Sequence, residues 1–265
     1  MTSTVVFFHA HPDDETLLTG GTMARLADEG HRVVLVTATL GDAGLSATSE
    51  SVDGLAEVRR AELIRAASIL GCRQVFDLGY ADSGGDPSVA PPPDSFCAVP
   101  LDAAAHTLAR ILDNERADAL TTYDAAGGYG HRDHVRVHHV GRRAADLAGT
   151  SAVFQATVDR QALQKALKAT RLFAPDKDAF AARRFDALYS GREELTHRVD
   201  VRRYTNAKRA ALASHRSQAV GGELERTVSW MLRLPKPLFR LAFGWEWFIE
   251  EGRPPHRPLA SQLLA

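Results

Sequence analysis

The chain has 265 residues, of which 45% are hydrophobic and 25% charged, a composition typical of a globular protein with a sizeable core. Its 32 basic side chains are balanced by 33 acidic ones, so it lacks the basic excess that marks most nucleic-acid-binding proteins. Two cysteines form no disulfide framework, which favours a cytoplasmic protein, and no apolar stretch reaches the roughly 18 residues of a membrane span.

Predicted strands and helices alternate along residues 1–158. The strands cover 4–8, 31–39, 73–79, 117–123 and 152–158, and the helices cover 20–30, 54–71, 100–115 and 132–148. The strands are short apolar runs, as expected of strands buried on both faces of a sheet. This alternation predicts an α/β fold, namely a Rossmann-like, doubly wound and mostly parallel sheet.

After residue 158 the alternation weakens. We predict a helix at 160–170, a strand near 197–201, a helix near 204–215 and an aromatic segment at 230–248. The pattern indicates a smaller C-terminal region, residues 159–265, appended to a Rossmann-like core of residues 1–158 within one compact unit. The aromatic segment is interpreted as core packing, with an acyl-accepting groove and a binding interface as alternatives.

Polar clusters follow four of the predicted strands. They read "HAHPDDE" at 9–15, "TLGDAG" at 39–44, "GYADSGG" at 79–85 and "YDAAGGYGHRDH" at 123–134. In open α/β sheets, binding sites form outside the carboxyl ends of the strands. The four clusters therefore predict one site on one edge of the sheet.

The residue types in two of these clusters favour a bound metal ion. Catalytic zinc usually takes three protein ligands from His, Asp and Glu and keeps a fourth position for water. The first cluster can supply one histidine and one aspartate, while His131 and His134 stand three positions apart at a helix start and can face the same side. A divalent cation also explains how adjacent carboxylates are tolerated.

The motifs "AHPDDE" at 10–15 and "GHRDH" at 130–134 resemble those of the LmbE/PIG-L family of zinc-dependent N-deacetylases, which includes the mycothiol-biosynthesis deacetylases. "TLGDAG", "RRAEL" at 59–63, "YADSG" at 80–84 and "KRAALASHRSQ" at 208–218 stand in the family's order, so the resemblance covers most of the chain. It implies one Zn²⁺ per chain, or another divalent transition metal. It also implies that metal-activated water hydrolyses an N-acyl group, in the simplest case N-acetyl, of a GlcNAc-type amino sugar.

The resemblance also implies roles for individual residues. His11, Asp14 and His134 match the metal ligands, and Asp13 matches the general base. His131 matches the second histidine, which stabilises the transition state or, if protonated, passes a proton to the leaving amine.

Four further residues are candidates for contact with the substrate. Arg59 and Asp82 match positions that face the sugar, although an exposed salt bridge is the alternative for Arg59. Asp42 stands where the family commonly has glutamate, so its reach is one methylene shorter. Gln218, like His215, is equally compatible with a pocket and with packing.

Two residues beside the histidines have open roles. Tyr129 lies between glycines and can either move over the metal to bind an oxyanion or form a pocket wall. Asp133 can either cap the helix that follows or orient His131. Both are included among the catalytic candidates.

The remaining alternatives differ in class. A nucleotide-dependent reductase would need Gly-x-Gly-x-x-Gly after the first strand, where this chain has "HAHPDDE". A non-catalytic sugar-binding protein is disfavoured because neither a ligand nor the base is lost. An amidase of a thiol conjugate, or a deacylase of a longer acyl chain on a glycosylated natural product, stays open. The expected partner is a small amino-sugar or glycoconjugate substrate, and a homo-oligomer is also open.

Overall fold

The computed structural model of the chain describes residues 2–41, 52–86, 88–171, 188–219, 223–255 and 257–264. The strands are β1 (Thr4–His9), β2 (Arg32–Thr39), β3 (Gln74–Tyr80), β4 (Ala119–Tyr123), β5 (Ala152–Thr157), β6 (His197–Asp200) and β7 (Trp245–Glu250). The helices are α1 (Asp14–Leu18), α2 (Gly20–Asp28), α3 (Val52–Ile69), α4 (Leu101–Glu115), α5 (Arg132–Ala148), α6 (Arg160–Arg171), α7 (Thr205–Leu212), α8 (Glu223–Arg233) and α9 (Lys236–Phe243).

One seven-stranded sheet in the order β3-β2-β1-β4-β5-β7-β6 forms the centre of the fold. The five strands from β3 to β5 are mutually parallel, which confirms the predicted Rossmann-like arrangement. Alternate side chains of β1 enter two different apolar clusters, Val5 and Phe7 on one face and Val6 and Phe8 on the other. Helices cover both faces, which is why these strands carry continuous apolar runs.

The C-terminal region adds strands to this same sheet. β7 pairs antiparallel with both β5 and β6, so the sheet is mixed at this end. β7 comes from the predicted aromatic segment, and its Phe248 is fully buried, as core packing requires. The division into residues 1–158 and 159–265 stays a prediction.

A buried carboxylate ties this region to the N-terminal half of the chain. Glu246 on β7 lies 2.6 Å from Lys208 Nζ and accepts hydrogen bonds from the backbone N–H groups of Gly21 and Thr22 at 2.8 and 2.7 Å. A carboxylate there satisfies free N–H donors at the start of α2, and its negative charge interacts favourably with the positive end of the helix dipole. Because the charges of Glu246 and Lys208 compensate each other, both side chains can be buried. Within the described residues, no helix is both long and apolar enough to cross a membrane.

Candidate metal and active site

The turn after β1 brings three carboxylates to the sheet edge. The backbone at Asp13 has a φ of 102°, a value that residues other than glycine rarely adopt. The turn is held by hydrogen bonds from Thr16 N and Oγ1 to the Asp13 carbonyl at 3.0 and 2.6 Å, and from Asp13 N to Glu15 Oε2 at 2.8 Å. Backbone strain of this kind persists where the surroundings enforce it, and it concentrates at functional sites. The short helix α1, which we did not predict, begins at the next residue.

The three predicted metal ligands meet at one oxygen atom. Asp14 Oδ2 lies 3.3 Å from His11 Nδ1 and 3.3 Å from His134 Nε2. His134 comes from the first turn of α5, which follows the neighbouring parallel strand β4. Two ligand atoms that bind one tetrahedral zinc ion at about 2.1 Å lie about 3.4 Å apart. The spacing therefore fits a shared divalent metal.

Unsatisfied polar atoms support the same conclusion. His134 is 1% exposed and neither of its ring nitrogens has a hydrogen-bond partner among the described residues. Asp13 Oδ2 is also buried without such a partner. Leaving a buried polar atom unpaired costs about 1–3 kcal/mol, so such atoms usually serve a ligand. Imidazole nitrogen and carboxylate oxygen are donors that zinc and similar transition metals accept.

Two other donor groups overlap with this one. His11, His131 and His134 can converge on an ion, as can His11, Asp82, His131 and Asp133. His131 is therefore a rival to Asp14 as a ligand. However, His131 Nδ1 accepts the backbone N–H of Asp133 at 3.2 Å, so one ring nitrogen already caps α5. We favour Asp14 because its one oxygen contacts both other ligands.

Asp133 makes neither of the two side-chain contacts that we expected, which were a cap on α5 and a contact that orients His131. It is His131 that caps α5, and the Asp133 carboxylate contacts His11 rather than His131. Asp133 Oδ2 accepts from His11 Nε2 at 3.2 Å and from Ser83 N at 3.0 Å, and Cys97 Sγ donates to Oδ1 at 3.1 Å. A proton on His11 Nε2 leaves Nδ1 free to face Asp14. Asp133 thereby orients a candidate metal ligand, an arrangement common around metal-binding histidines.

The two adjacent aspartates have opposite electrostatic properties. Burial raises the pKa of Asp13 to about 8, and the neighbouring Asp14 carboxylate raises it further. Burial alone would also raise the pKa of Asp14, but His134 and His11 outweigh it and hold this pKa well below its usual range. A divalent cation bound beside Asp13 would lower its pKa again, so that Asp13 could act as proton acceptor while Asp14 acts as metal ligand.

The pKa of His131 is too low for the protonated side chain that a general acid would need. Burial lowers it to about 4, and His11 and His134 add to the effect. The imidazole is therefore neutral near pH 7. Because Nδ1 accepts the Asp133 N–H, the single ring proton lies on Nε2, where it can be donated to a ligand.

Glu15 also belongs to the site, although we did not predict a role for it from the sequence. Glu15 Oε1 lies 2.7 Å from His215 Nε2, and both side chains are fully buried. Burial lowers the pKa of His215, but the Glu15 carboxylate outweighs it, so that the net pKa is raised. Glu15 also accepts the Asp13 N–H, so this pair supports the strained turn. Its position directly after "HPDD" was the available signal.

Tyr123 is a second residue that the sequence did not single out. Its ring stacks on His134 at 4.3 Å with an interplanar angle of 4°. Its hydroxyl lies 3.2 Å from Nδ1 of His9, which is also buried. Tyr123 ends an apolar strand, so its sequence context resembles that of an ordinary core residue.

Tyr129 lies beside the histidines on a loop shaped by glycines. Gly127 has a φ of 65°, and a Cβ there would come within 2.6 Å of Val135 N, so only glycine fits. Asp124 Oδ1 accepts the Gly128 N–H at 2.8 Å and fixes the loop. The Tyr129 ring lies 4.8 Å from that of His134. Burial raises its pKa, so the phenol keeps its proton at neutral pH and can donate it.

The candidate substrate residues are only partly described. Arg59 is 2% exposed and donates to the carbonyl of Gly41, so the exposed salt bridge is excluded. A Cβ at Gly41 would lie 3.8 Å from His11 Cβ, so this contact is next to the metal ligands. Asp82 Oδ1 accepts the Gly84 N–H at 2.8 Å and lies 3.7 Å from His11 Nε2. Asp42 and the side chain of Gln218 lie outside the described residues.

The contact between Cys97 and Asp133 yields a prediction. Cys97→Ala is expected to weaken metal affinity about 10-fold, because Asp133 loses one donor that fixes its orientation toward His11. Cys97→Ser keeps a donor and should retain most of the affinity. The measurement is a zinc titration against a competing chelator, with Cys72→Ala as the control. Equal affinity in Cys97→Ala and wild type would show that the thiol does not act on the site.

The family described as "PIG-L: GlcNAc-PI de-N-acetylase" matches residues 6–145, more than half of the chain. A 1D-myo-inositol 2-acetamido-2-deoxy-alpha-D-glucopyranoside deacetylase from Thermobifida fusca is 37% identical over 244 residues, covering 82% of this chain and 84% of the relative. A protein of the same name from Acidothermus cellulolyticus is 36% identical over 94% of this chain and 89% of its own length.

Solved structures share the fold at lower identity. The N,N'-diacetylchitobiose deacetylase from Pyrococcus horikoshii superposes with a TM-score of 0.60 at 22% identity, covering 94% of this chain and 83% of that chain. The 4-carboxy-2-hydroxymuconate hydratase from Pseudomonas putida superposes with a TM-score of 0.61 at 17% identity, covering 98% and 100%. One fold therefore carries two reaction classes, so the reaction must be argued from the site.

Proposed function

The chain belongs to the PIG-L family, and on that premise we propose that it is a metal-dependent amide hydrolase that removes an N-acyl group from a GlcNAc-type amino sugar. The acyl group is acetyl in the simplest case. The products are then acetate and a free amino sugar.

One observation carries this proposal. Asp14 Oδ2 stands 3.3 Å from both His11 Nδ1 and His134 Nε2, while Asp13 beside it keeps a buried oxygen without a partner among the described residues. A metal site next to an uncommitted carboxylate is what hydrolysis of an unactivated amide requires. His11, Asp14 and His134 would hold the metal, and zinc is our choice among the divalent transition metals.

The side chains around the ligands account for the remaining chemistry. A bound divalent cation polarises a carbonyl oxygen and lowers the pKa of water to about 7. With its pKa lowered by the adjacent cation, Asp13 would accept the proton of the attacking water, which the leaving nitrogen finally receives. His131 donates its Nε2 proton in a hydrogen bond to the oxyanion, and Tyr129 is placed to donate a second. Asp133 positions His11.

The substrate assignment follows the names of the relatives. The two relatives above are named for a deacetylase of an inositol-linked acetamido sugar. We propose that Arg59, Asp82, Asp42 and Gln218 contact the sugar and that the C-terminal region completes the pocket. We also place the protein in the cytoplasm, where its two free cysteines stay reduced.

An amine-release assay tests the proposal. The metal-loaded protein is incubated with N-acetylglucosaminyl compounds whose aglycones differ, with N-propionyl and longer-acyl analogues and with thiol conjugates. We expect release of amine and acetate in equal amounts, fastest for an N-acetylglucosaminyl inositol. Faster cleavage of a long-acyl or thiol-conjugate amide would assign the protein a different substrate class within the same family. No amine release from any amide would contradict the proposal, since a hydratase would release none.

His131→Ala is expected to lower kcat about 10²- to 10³-fold with little change in KM, as when one oxyanion donor is removed. Because the pKa of His131 is lowered to about 4, the side chain does not titrate near neutral pH. The pH–rate profile of the variant should therefore keep the basic limb of the wild type. If the pH–rate profile of His131→Ala lacked the basic limb, His131 would instead act as a protonated general acid.

A further inference from the structure

Three large apolar side chains are exposed on the segment that contains α8 and α9. We refer to residues 228–243, which span most of α8, a short turn and α9, as the basic hairpin. Trp230 is 49% exposed, Leu238 is 52% exposed and Leu241 is 76% exposed. Leu238 and Leu241 stand three positions apart on α9 and so share one face. Single exposed apolar side chains are ordinary, but three within 12 residues are a concentration that suggests a binding surface.

The charge of the basic hairpin is one-sided. It contains Arg233, Lys236 and Arg240 and no acidic residue, whereas the whole chain has 32 basic and 33 acidic side chains. All three basic side chains are exposed. Among the described residues, none of them forms an ion pair with an acidic side chain. The basic hairpin therefore exposes apolar and positively charged side chains together.

The inner face of the hairpin is packed, so its outer face has a defined orientation. Val228 and Phe239 are buried with Leu212 of α7, and Leu17 of α1 packs against the same cluster. α1 begins at the candidate ligand Asp14. The basic hairpin is thus held to the fold one short helix away from the candidate metal site.

We propose that the basic hairpin docks this protein on an anionic lipid surface. A tryptophan and two leucines can insert at the boundary between headgroups and acyl chains, while lysine and arginine bind lipid phosphates. A two-fold contact between copies of this chain would set three positive charges against three others, which disfavours self-association through this face. The proposal is independent of the reaction, because its test measures binding alone.

Vesicle sedimentation tests the docking surface. The full chain is mixed at low salt with vesicles of phosphatidylcholine alone or of phosphatidylcholine and phosphatidylglycerol in equal amounts. We expect binding to the mixed vesicles only, and its weakening with added salt. Arg233→Glu, Lys236→Glu and Arg240→Glu together should lower the partition coefficient at least about 100-fold.

A matched control separates this effect from net charge. Arg60, Arg65 and Arg110 are exposed helical arginines outside the hairpin, and their combined replacement by glutamate changes the net charge equally. This control should lower binding far less than the hairpin variant does.

A second pair of variants tests the apolar part. Leu238→Ser with Leu241→Ser should weaken vesicle binding at least about 10-fold, since two leucines no longer insert. Ile64→Ser with Ile69→Ser removes exposed apolar side chains of α3 and should bind as the wild type does. Three results would overturn the proposal. These are no binding of the wild type to mixed vesicles, equal losses in the hairpin variants and their controls, or a dimer in sedimentation velocity that the leucine variant abolishes.

Discussion

The Asp13→Asn variant is expected to bind the metal as the wild type does and to lose about 10²- to 10⁴-fold in kcat. Asparagine has nearly the same shape, and it tolerates positive φ values as aspartate does. Its amide nitrogen cannot accept a proton, so the attacking water loses its base. The measurement is steady-state turnover of the amide together with metal content by elemental analysis.

The stability of this variant separates catalysis from folding. In the metal-free protein the folded pKa of Asp13 is about 8 against an ordinary value of 3.8, so the folded state retains a proton that the unfolded chain loses. The contribution of Asp13 to stability is therefore full below pH 3.8 and falls as the pH rises toward about 8. Asparagine carries no such charge, so we expect the metal-free variant to unfold at or above the wild-type Tm at neutral pH.

The control is Asp113→Asn, which changes an exposed aspartate of α4 and should leave kcat unchanged. If Asp13→Asn turned over at the wild-type rate while folded and loaded with metal, Asp13 would not be the base. If it lost the metal, Asp13 would act as a ligand instead.

The parallel part of the sheet was predictable because local pattern and tertiary environment agree there. The middle of β1, Val5 to Phe8, is wholly apolar and both its faces are covered, so a run such as "TVVFF" has one stable environment. The polar clusters then had to lie at the carboxyl ends of β1 and β4, which are neighbours. The meeting of His11, Asp14 and His134 follows from that topology.

The contacts around the ligands were not predictable from spacing. His11 and Asp133 are 122 positions apart, and the hydrogen bond between them depends on the side-chain directions at two separate turns. Sequence spacing left two roles open for Asp133, capping α5 or orienting His131, and indicated no contact with His11. In the fold, the backbone N–H of Asp133 donates to the His131 ring, and the Asp133 carboxylate accepts from His11.

The aromatic segment at 230–248 was predicted least well, since its pattern mixes three roles. In "WMLRLPKPLFRLAFGWEWF" the apolar residues serve an inner face, an exposed patch and a strand of the central sheet. Phe239 is 2% exposed while Leu241, two positions later, is 76% exposed. Hydrophobicity alone does not distinguish these environments.

Removal of one ligand should abolish metal binding and turnover together. His134→Ala is expected to reduce the metal content of the purified protein below one-tenth of the wild-type value and to remove measurable activity. The reason is that the two imidazoles and Asp14 share one ion, and two remaining ligands do not hold it against a chelator. His11→Ala should behave in the same way. Metal content is measured by elemental analysis after dialysis against a chelator.

His131→Ala is the matched comparison, because His131 is the rival ligand in the group with His11 and His134. If Asp14 is the third ligand, His131→Ala keeps one metal per chain, whereas Asp14→Ala loses it. The opposite result, with metal retained in Asp14→Ala and lost in His131→Ala, would assign the ion to three imidazoles. Asp14 would then be the partner that balances their charge, and the oxyanion donor would have to be sought at Tyr129. The two variants therefore decide between the ligand sets without reference to activity.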